Sequence, residues 1–282
     1  PPRSTLFPYT TLFRSDDACP YIQKALIYQL MGKNEEAIAC YDRAIVLDPK
    51  DSAPHYDKGL IYFTMKKYAE SVECYQKSIE LKPDHFKWLN KGVSLNSLRK
   101  YKEAIECFDR AIQMEPKYGK TWYNKGFTLS NMGKPAEAIK CFDEAIKLDP
   151  KDYMSHYDKA LALLDLRKYD ESLKCFDRAI EINPKYENLW CDKGAVYDAQ
   201  NKFKEALACY EKAIELFHDY PNAWYNKGLA QYSLGRYEEA VETFQKCRSL
   251  LKPDNLEFIG ALDMTIAKVT KEIKAKKAAV KQ

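Results

Sequence analysis

The chain has 282 residues, 46% of them hydrophobic and 30% charged, with only 10 glycines and 13 prolines, which excludes collagen-like, low-complexity and wholly disordered chains. The formal charge of +4 is unevenly placed: residues 268 to 282 carry six lysines against Glu272, Arg3 and Arg14 add two positive charges, and the stretch between is near −3. A mildly acidic body offers no basic stripe to phosphates, so nucleic acid is not an expected partner. No run approaches the ~18 uninterrupted apolar residues of a membrane-spanning helix and no secretory pattern opens the chain; no membrane partner is expected, and the expected compartment is cytoplasmic.

At the amino end, residues 5 to 15 read TLFPYTTLFRS, which resembles the translation of a sequencing-adapter oligonucleotide rather than a gene. Residues 1–17 are therefore expected to form a disordered, artefactual tail without a functional part, and the true amino end is expected to be missing.

From Ala18 onward one pattern dominates. The blocks HYDKGLIY, KWLNKGVSL, TWYNKGFTL, HYDKALAL, LWCDKGAVY and AWYNKGLAQ recur at steps of 33 or 34 residues, and each is followed by a second block such as KYKEAIECFDRAIQMEP, KPAEAIKCFDEAIKLDP or KYDESLKCFDRAIEINP. In the first block a ring (Tyr21, His55, Trp88, Trp122, His156, Trp190, Trp224) precedes by four residues a small residue (Ala25, Gly59, Gly92, Gly126, Ala160, Gly194, Gly228), which puts both on one face of a helix. The second block repeats the device, with Ala37, Ser71, Ala104, Ala138, Ser172, Ala206 and Ala240 each followed four residues on by Tyr41, Tyr75, Phe108, Phe142, Phe176, Tyr210 and Phe244. Large is thus expected to meet small across a packed helix pair. Pro49, Pro83, Pro116, Pro150 and Pro184 close the pattern, since proline lacks the amide donor and drives its predecessor out of the helical region. Gly32, Gly133 and Gly235 occupy the turn inside a repeat, where the other repeats carry Lys66, Arg99, Arg167 and Asn201, so those four turns are expected to be strained.

These residues resemble the tetratricopeptide (TPR) family, whose 34-residue repeat is a helix, a turn and an antiparallel helix. The resemblance covers residues 18–254 as seven repeats, 18–51, 52–84, 85–118, 119–152, 153–186, 187–220 and 221–254. It implies an all-α fold, a right-handed superhelical α-solenoid of antiparallel helix pairs. Beyond it, residues 255–282 place Ile259, Leu262, Ile266, Val269 and Ile273 at helical spacing and are expected to form a capping helix with a basic tail.

The residues show no catalytic constellation. Cys40, Cys74, Cys107, Cys141, Cys175 and Cys209 fill one slot in six successive repeats, too far apart to pair in series and without a zinc-ligand spacing, so they read as packing residues. His55, His85, His156 and His218 are dispersed at structural positions, and no glycine is free to form a phosphate loop. No enzyme activity, metal or cofactor is expected.

Function is then expected on a surface. In TPR arrays the first helices line a concave groove that takes an extended or helical peptide, and the resemblance places there Ala53, Tyr56, Leu60 and Phe63, then Phe86, Leu89, Asn90 and Val93, then Tyr123, Asn124, Phe127 and Asn131. Further along come Met154, Tyr157, Asp158, Leu161 and Asp165, then Asp192 and Asp198, and finally Asn222, Tyr225, Asn226 and Tyr232. The expected function is a protein-interaction scaffold, its partner a peptide or helix with apolar side chains on repeats two to four and a Lys or Arg near Asp158, Asp165, Asp192 and Asp198. In the competing reading those aspartates only pair with Lys159 and Lys193 on a solvated surface. Lys24, Lys58, Lys91, Lys125, Lys159, Lys193 and Lys227 are expected to keep their ammonium groups in water. Alternatives are a fragment of a larger enzyme, such as a protein O-glycosyltransferase, and a co-chaperone binding chaperone tails, although Tyr56, Phe86 and Leu89 fill that clamp's basic positions. Self-association through the solenoid ends is a third possibility.

Overall fold

The computed structural model describes residues 18–279, with side chains described through residue 278. The expectations for residues 1–17 and for the last three residues of the basic tail fall outside the described residues. Among them there are α-helices and no strands, and the chain divides into two compact halves, Pro1–Met132 and Gly133–Gln282. The amino-terminal half holds α1 (Cys19–Leu30), α2 (Asn34–Leu47), α3 (Ala53–Thr64), α4 (Tyr68–Leu81), α5 (His85–Ser97), α6 (Tyr101–Met114) and α7 (Gly119–Asn131). The carboxyl-terminal half holds α8 (Pro135–Leu148), α9 (Tyr153–Asp165), α10 (Tyr169–Ile182), α11 (Glu187–Ala199), α12 (Phe203–Leu216), α13 (Pro221–Ser233), α14 (Tyr237–Leu250) and α15 (Leu256–Ala279). Within each half, consecutive helices pack against one another in chain order.

In repeats two, three, six and seven the small-residue slot of the first helix is filled by a ring from the second helix of the same repeat. A Cβ added at Gly59 would lie 2.7 Å from the Tyr75 ring, one at Gly92 2.6 Å from Phe108, and one at Gly194 2.6 Å from Tyr210; Gly228 faces Phe244 more closely still. These rings are at most 1% exposed. Ala25 and Ala160, both fully buried, hold the slot in repeats one and five and cluster with Tyr41 and Phe176. Removing such a ring is expected to cost about 3–5 kcal/mol, because the helix it holds cannot collapse onto the cavity.

In repeats one to five the second helix ends two residues before the expected proline. Asp48, Lys82, Glu115, Asp149 and Asn183 have left the helix with φ between −131 and −153°, as the residue before proline must. Phe217 does the same (φ −140°) although His218 follows it. The loop carbonyl is then held by the first-helix ring of the next repeat: Trp122 Nε1 donates to Pro116 O (3.0 Å), Trp190 Nε1 to Pro184 O (3.2 Å) and Trp224 Nε1 to His218 O (2.8 Å). His156 Nε2 lies 3.3 Å from Pro150 O, which gives this histidine its structural role.

The turns inside the repeats are left-handed whichever residue occupies them. Lys66, Arg99, Arg167 and Asn201 have φ of 57 to 60°, beside Gly32, Gly133 and Gly235 at 72 to 77°. A paired cap enforces this: Lys66 N donates to Phe63 O (2.9 Å) and Lys67 N to Tyr62 O (2.8 Å), and the same two bonds recur at Arg99 and Lys100 and at Arg167 and Lys168. The carbonyls of the helix end are satisfied only if the residue between accepts positive φ.

α15 lays one apolar stripe on the last repeat. Leu262 and Val269 are buried with Phe258, Ile266 and Ile273 against Phe244, Cys247 and Tyr225, so the stripe begins at Phe258 rather than at Ile259. Arg248 grips Asp263 through Nε (2.5 Å) and an Nη (3.1 Å).

The left-handed turns yield a stability prediction. An L-residue there costs about 1–2 kcal/mol, while glycine returns about 0.5–1 kcal/mol of that as chain entropy. Lys66→Gly and Arg167→Gly should each raise the thermal midpoint, and Asn201→Gly should raise it less, because asparagine tolerates this region. A lower midpoint for Arg167→Gly would contradict the cap.

Candidate functional site

On each first helix, positions three or four residues apart share one face, and in the amino-terminal half these carry rings and aliphatics. Tyr56 rests on Tyr75 (5.6 Å between ring centroids), and its hydroxyl accepts from Asn90 Nδ2 at 2.8 Å. Leu60, Phe63 and Val93 are half-buried, Phe63 lying 5.4 Å from the Tyr68 ring. Phe86 remains 45% exposed between His85 and Tyr118, and Phe127 37% exposed against Tyr123. Asn124 turns back to Lys120 O (2.7 Å), and Asn131 and Ala53 are exposed. Leu89 lies in the core at 6% exposure and so is not a surface contact. Leu26 and Leu30 of α1 hold the equivalent positions of the first repeat, 45% and 89% exposed, and the sequence reading passed over them.

The carboxyl-terminal half is built differently at the same positions. Tyr157 is wedged against Phe176 and Tyr186 and donates to Asp192 at 2.6 Å. Asp158 is buried, Met154 and Leu161 are half-buried, and Asp198 accepts from Tyr210 Oη at 2.5 Å while its other oxygen is buried without a hydrogen-bond partner. Of the four aspartates expected to steer a basic partner, only Asp165 is exposed. Burial raises the Asp192 and Asp198 carboxyls above the usual value, partly offset by the tyrosine hydroxyls. Asn226 reaches Cys191 Sγ at 3.8 Å, and Asn222 is exposed. Tyr225 is held between Phe244 and Phe258, and Tyr232 donates to Glu272, so α15 lies over the first-helix residues of the seventh repeat.

From the second repeat onward the lysines of the first helices are paired, contrary to the expectation of solvated ammonium groups. Lys58 meets Asp42, Lys125 meets Asp109, Lys159 meets Asp143 and Lys193 meets Asp177, each at 2.5 Å, and Lys227 meets Glu211 at 3.1 Å. Lys91 instead donates to Gln76 Oε1 at 2.5 Å. Each acid sits on the second helix of the preceding repeat, so Lys159 and Lys193 are not partners of the groove aspartates. Burial is the largest single influence and works against the charge on Lys58, Lys159 and Lys193, but the aspartate hydrogen bond and the attraction of neighbouring acidic groups together outweigh it, and their pKa values are raised. Half-exposed pairs of this kind contribute little energy singly, and their regular recurrence marks the stacking register.

Among the described residues no three His, Cys, Asp or Glu side chains converge on a metal-sized site, and Cys40, Cys74, Cys107, Cys175, Cys191, Cys209 and Cys247 are free thiols. Burial pushes the Cys107, Cys191 and Cys209 thiols up to about 11, so they are protonated at neutral pH. A hollow of about 580 Å³ between α5 and α6 is lined by Trp88, Lys91, Glu103, Glu106, Cys107 and Arg110. No helix among the described residues is long and apolar enough to cross a membrane.

Asp198 supplies a pH test. A carboxyl whose folded pKa is raised penalises the folded state once pH exceeds that value, and the penalty vanishes below the unfolded value near 3.8. Asp198→Asn keeps an acceptor for Tyr210, so it should stabilise the protein at pH 7–8, and the advantage should shrink as the solution is acidified through the folded pKa. Denaturation curves at several pH values check this, and a destabilised variant at pH 7.5 would contradict it.

Comparison with known proteins agrees with the geometry. Models described as tetratricopeptide repeat match residues 52–85, 87–118, 119–152, 153–186 and 221–251 and, separately, 175–208, and a model described as TPR repeat matches 25–66 and 196–235. No curated protein matches at a significant level. Among solved structures, a tetratricopeptide repeat protein from Parabacteroides merdae shares 19% identity over 89% of this chain and 98% of its own (TM-score 0.69). PilF of Pseudomonas aeruginosa shares 20% over 73% of this chain and 94% of its own (TM-score 0.62). YrrB, described as a TPR protein with an unusual peptide-binding site, shares 22% over 65% of this chain and 95% of its own (TM-score 0.55). With its family models matched along most of its length and its helices paired as the repeat requires, the chain belongs to the tetratricopeptide repeat family.

Proposed function

We propose that the chain is a non-catalytic scaffold that holds a segment of a partner protein on the first-helix face of its amino-terminal half. The observation that carries this reading is the exposure of Phe86 and Phe127 on first helices, where Phe108, Phe142, Phe176 and Phe244 of the second helices are fully buried. Exposed rings backed by Tyr118 and Tyr123 are pre-ordered anchors, which bind apolar side chains with little loss of rotamer freedom. Leu60, Phe63, Tyr123 and Val93 continue the surface, and Asn131 supplies an exposed polar group beside it. Repeats of this family are in general interaction modules, and the peptide-binding site described for YrrB is an example on the same fold.

The partner segment is read as mainly apolar. With Asp192 and Asp198 engaged by tyrosines, attraction for a basic residue rests on Asp165 alone. The chaperone-tail reading gains no support, because Tyr56, Phe86 and Leu89 stand where that clamp needs basic groups.

Selection of random peptides displayed on phage tests the proposal. Enriched peptides should carry large apolar residues, and a Phe86→Ser/Phe127→Ser variant should bind them at least about tenfold more weakly with an unchanged helical spectrum. Affinity should vary little between 50 and 500 mM salt, since apolar contacts are not screened. Retained binding by the double variant would overturn the reading.

A further inference from the structure

The same groups of a first helix and its second helix line a hollow at two places one repeat apart. Between α3 and α4 the hollow measures about 210 Å³ and is lined by His55, Lys58, Tyr62, Cys74 and Lys77, with Asp42 of α2 beside them. Between α5 and α6 it is the hollow of about 580 Å³, where Trp88, Lys91, Leu95, Cys107 and Arg110 hold the corresponding positions. Two differences enlarge it. Leu95 stands where Tyr62 fills the smaller hollow with a ring, and Gln76 stands where Asp42 pairs with Lys58 at 2.5 Å. The later junctions keep that acid as Asp109, Asp143, Asp177 and Glu211, so from the second repeat onward only Lys91 lacks the ring and the acid together. An ammonium has three donors. That of Lys91 meets one neutral acceptor, Gln76 Oε1 at 2.5 Å, and lies 5.4 Å from the Trp88 ring. Gln76 is itself held by Glu80 at 2.7 Å, and Arg110 meets Gln113 at 3.4 Å, with no carboxylate among the described residues pairing with Lys91 or Arg110.

We propose that the hollow between α5 and α6 binds a small aromatic carboxylic acid, its ring against Trp88 and Leu95 and its carboxylate on Lys91, with Arg110 adding attraction. The ligand supplies the two groups that Tyr62 and Asp42 supply one repeat earlier, and the volume lies within the roughly 300–1,000 Å³ of small-molecule sites. The acids already present do not exclude it. Asp109 is engaged by Lys125 at 2.5 Å. Glu103 and Glu106 stand exposed at the rim, as Glu70 and Glu73 do around the smaller hollow, where the Lys58–Asp42 pair forms all the same. Rim charges in water are screened, whereas the half-buried Lys91 is screened less.

The probes are phenylacetate and phenylpropanoate, with phenylethanol as the uncharged analogue. Titrated into the full chain, at least one of the acids should shift the amide resonances of α5 and α6 with a Kd of about 1 mM or tighter, and phenylethanol should bind at least about tenfold more weakly. Gln76→Asp gives Lys91 the acidic partner that five other first-helix lysines have, so the fold accepts the change. This variant should bind the acid at least about tenfold more weakly with no fall in thermal midpoint. Leu95→Tyr, which restores the ring found at Tyr62 and Tyr197, should weaken binding as well. Absence of shifts in α5 and α6 with both acids at about 10 mM, equal binding of phenylethanol, or undiminished binding to Gln76→Asp would each overturn the proposal.

Discussion

The structure depends on one steric constraint, the seating of a second-helix ring in the slot where a first-helix residue lacks a side chain. Gly59 under Tyr75, Gly92 under Phe108 and Gly194 under Tyr210 set the distance between paired helices, because no larger side chain fits while the ring stays in place. The positive-φ turn follows from the same requirement, since the second helix must return at the angle that brings its ring over the slot. Lys66, Arg99, Arg167 and Asn201 adopt left-handed backbone there at an energetic cost that packing of the pair offsets.

Junctions between repeats are secured by weaker, repeated contacts. An indole or imidazole holds the preceding loop carbonyl, a sealed small or aliphatic residue meets the previous second helix, and a lysine meets that helix's acid. These devices consume most of the first helix, and what is left over is the surface available to a partner. The two halves use it differently. In the amino-terminal half Phe86 and Phe127 stand open, whereas in the carboxyl-terminal half tyrosines bind the aspartates and α15 covers Tyr225.

The repeat length, the ring and slot pairing, the turn positions and the terminating prolines were legible in the sequence, because each is fixed by contacts within about one repeat. Asp192 and Asp198 were misleading: they read as surface acids, and their partners Tyr157 and Tyr210 lie 35 and 12 residues away on other helices. The lysine pairs were missed although their offset of 16 residues is constant in Lys58–Asp42, Lys125–Asp109 and Lys193–Asp177, a spacing visible in the aligned repeats. Leu89 reads as a groove residue by register, yet it is buried beside Val72, because the depth of a position depends on how closely the preceding repeat approaches.

The constraint is tested most directly by native-state hydrogen exchange on Phe108→Ala. If the ring in the Gly92 slot holds its helix pair, α5 and α6 should lose about 3–5 kcal/mol of protection, amounting to at least about a hundredfold faster exchange in both helices together. Protection in α5 and α6 that stays within about threefold of the parent would contradict the account.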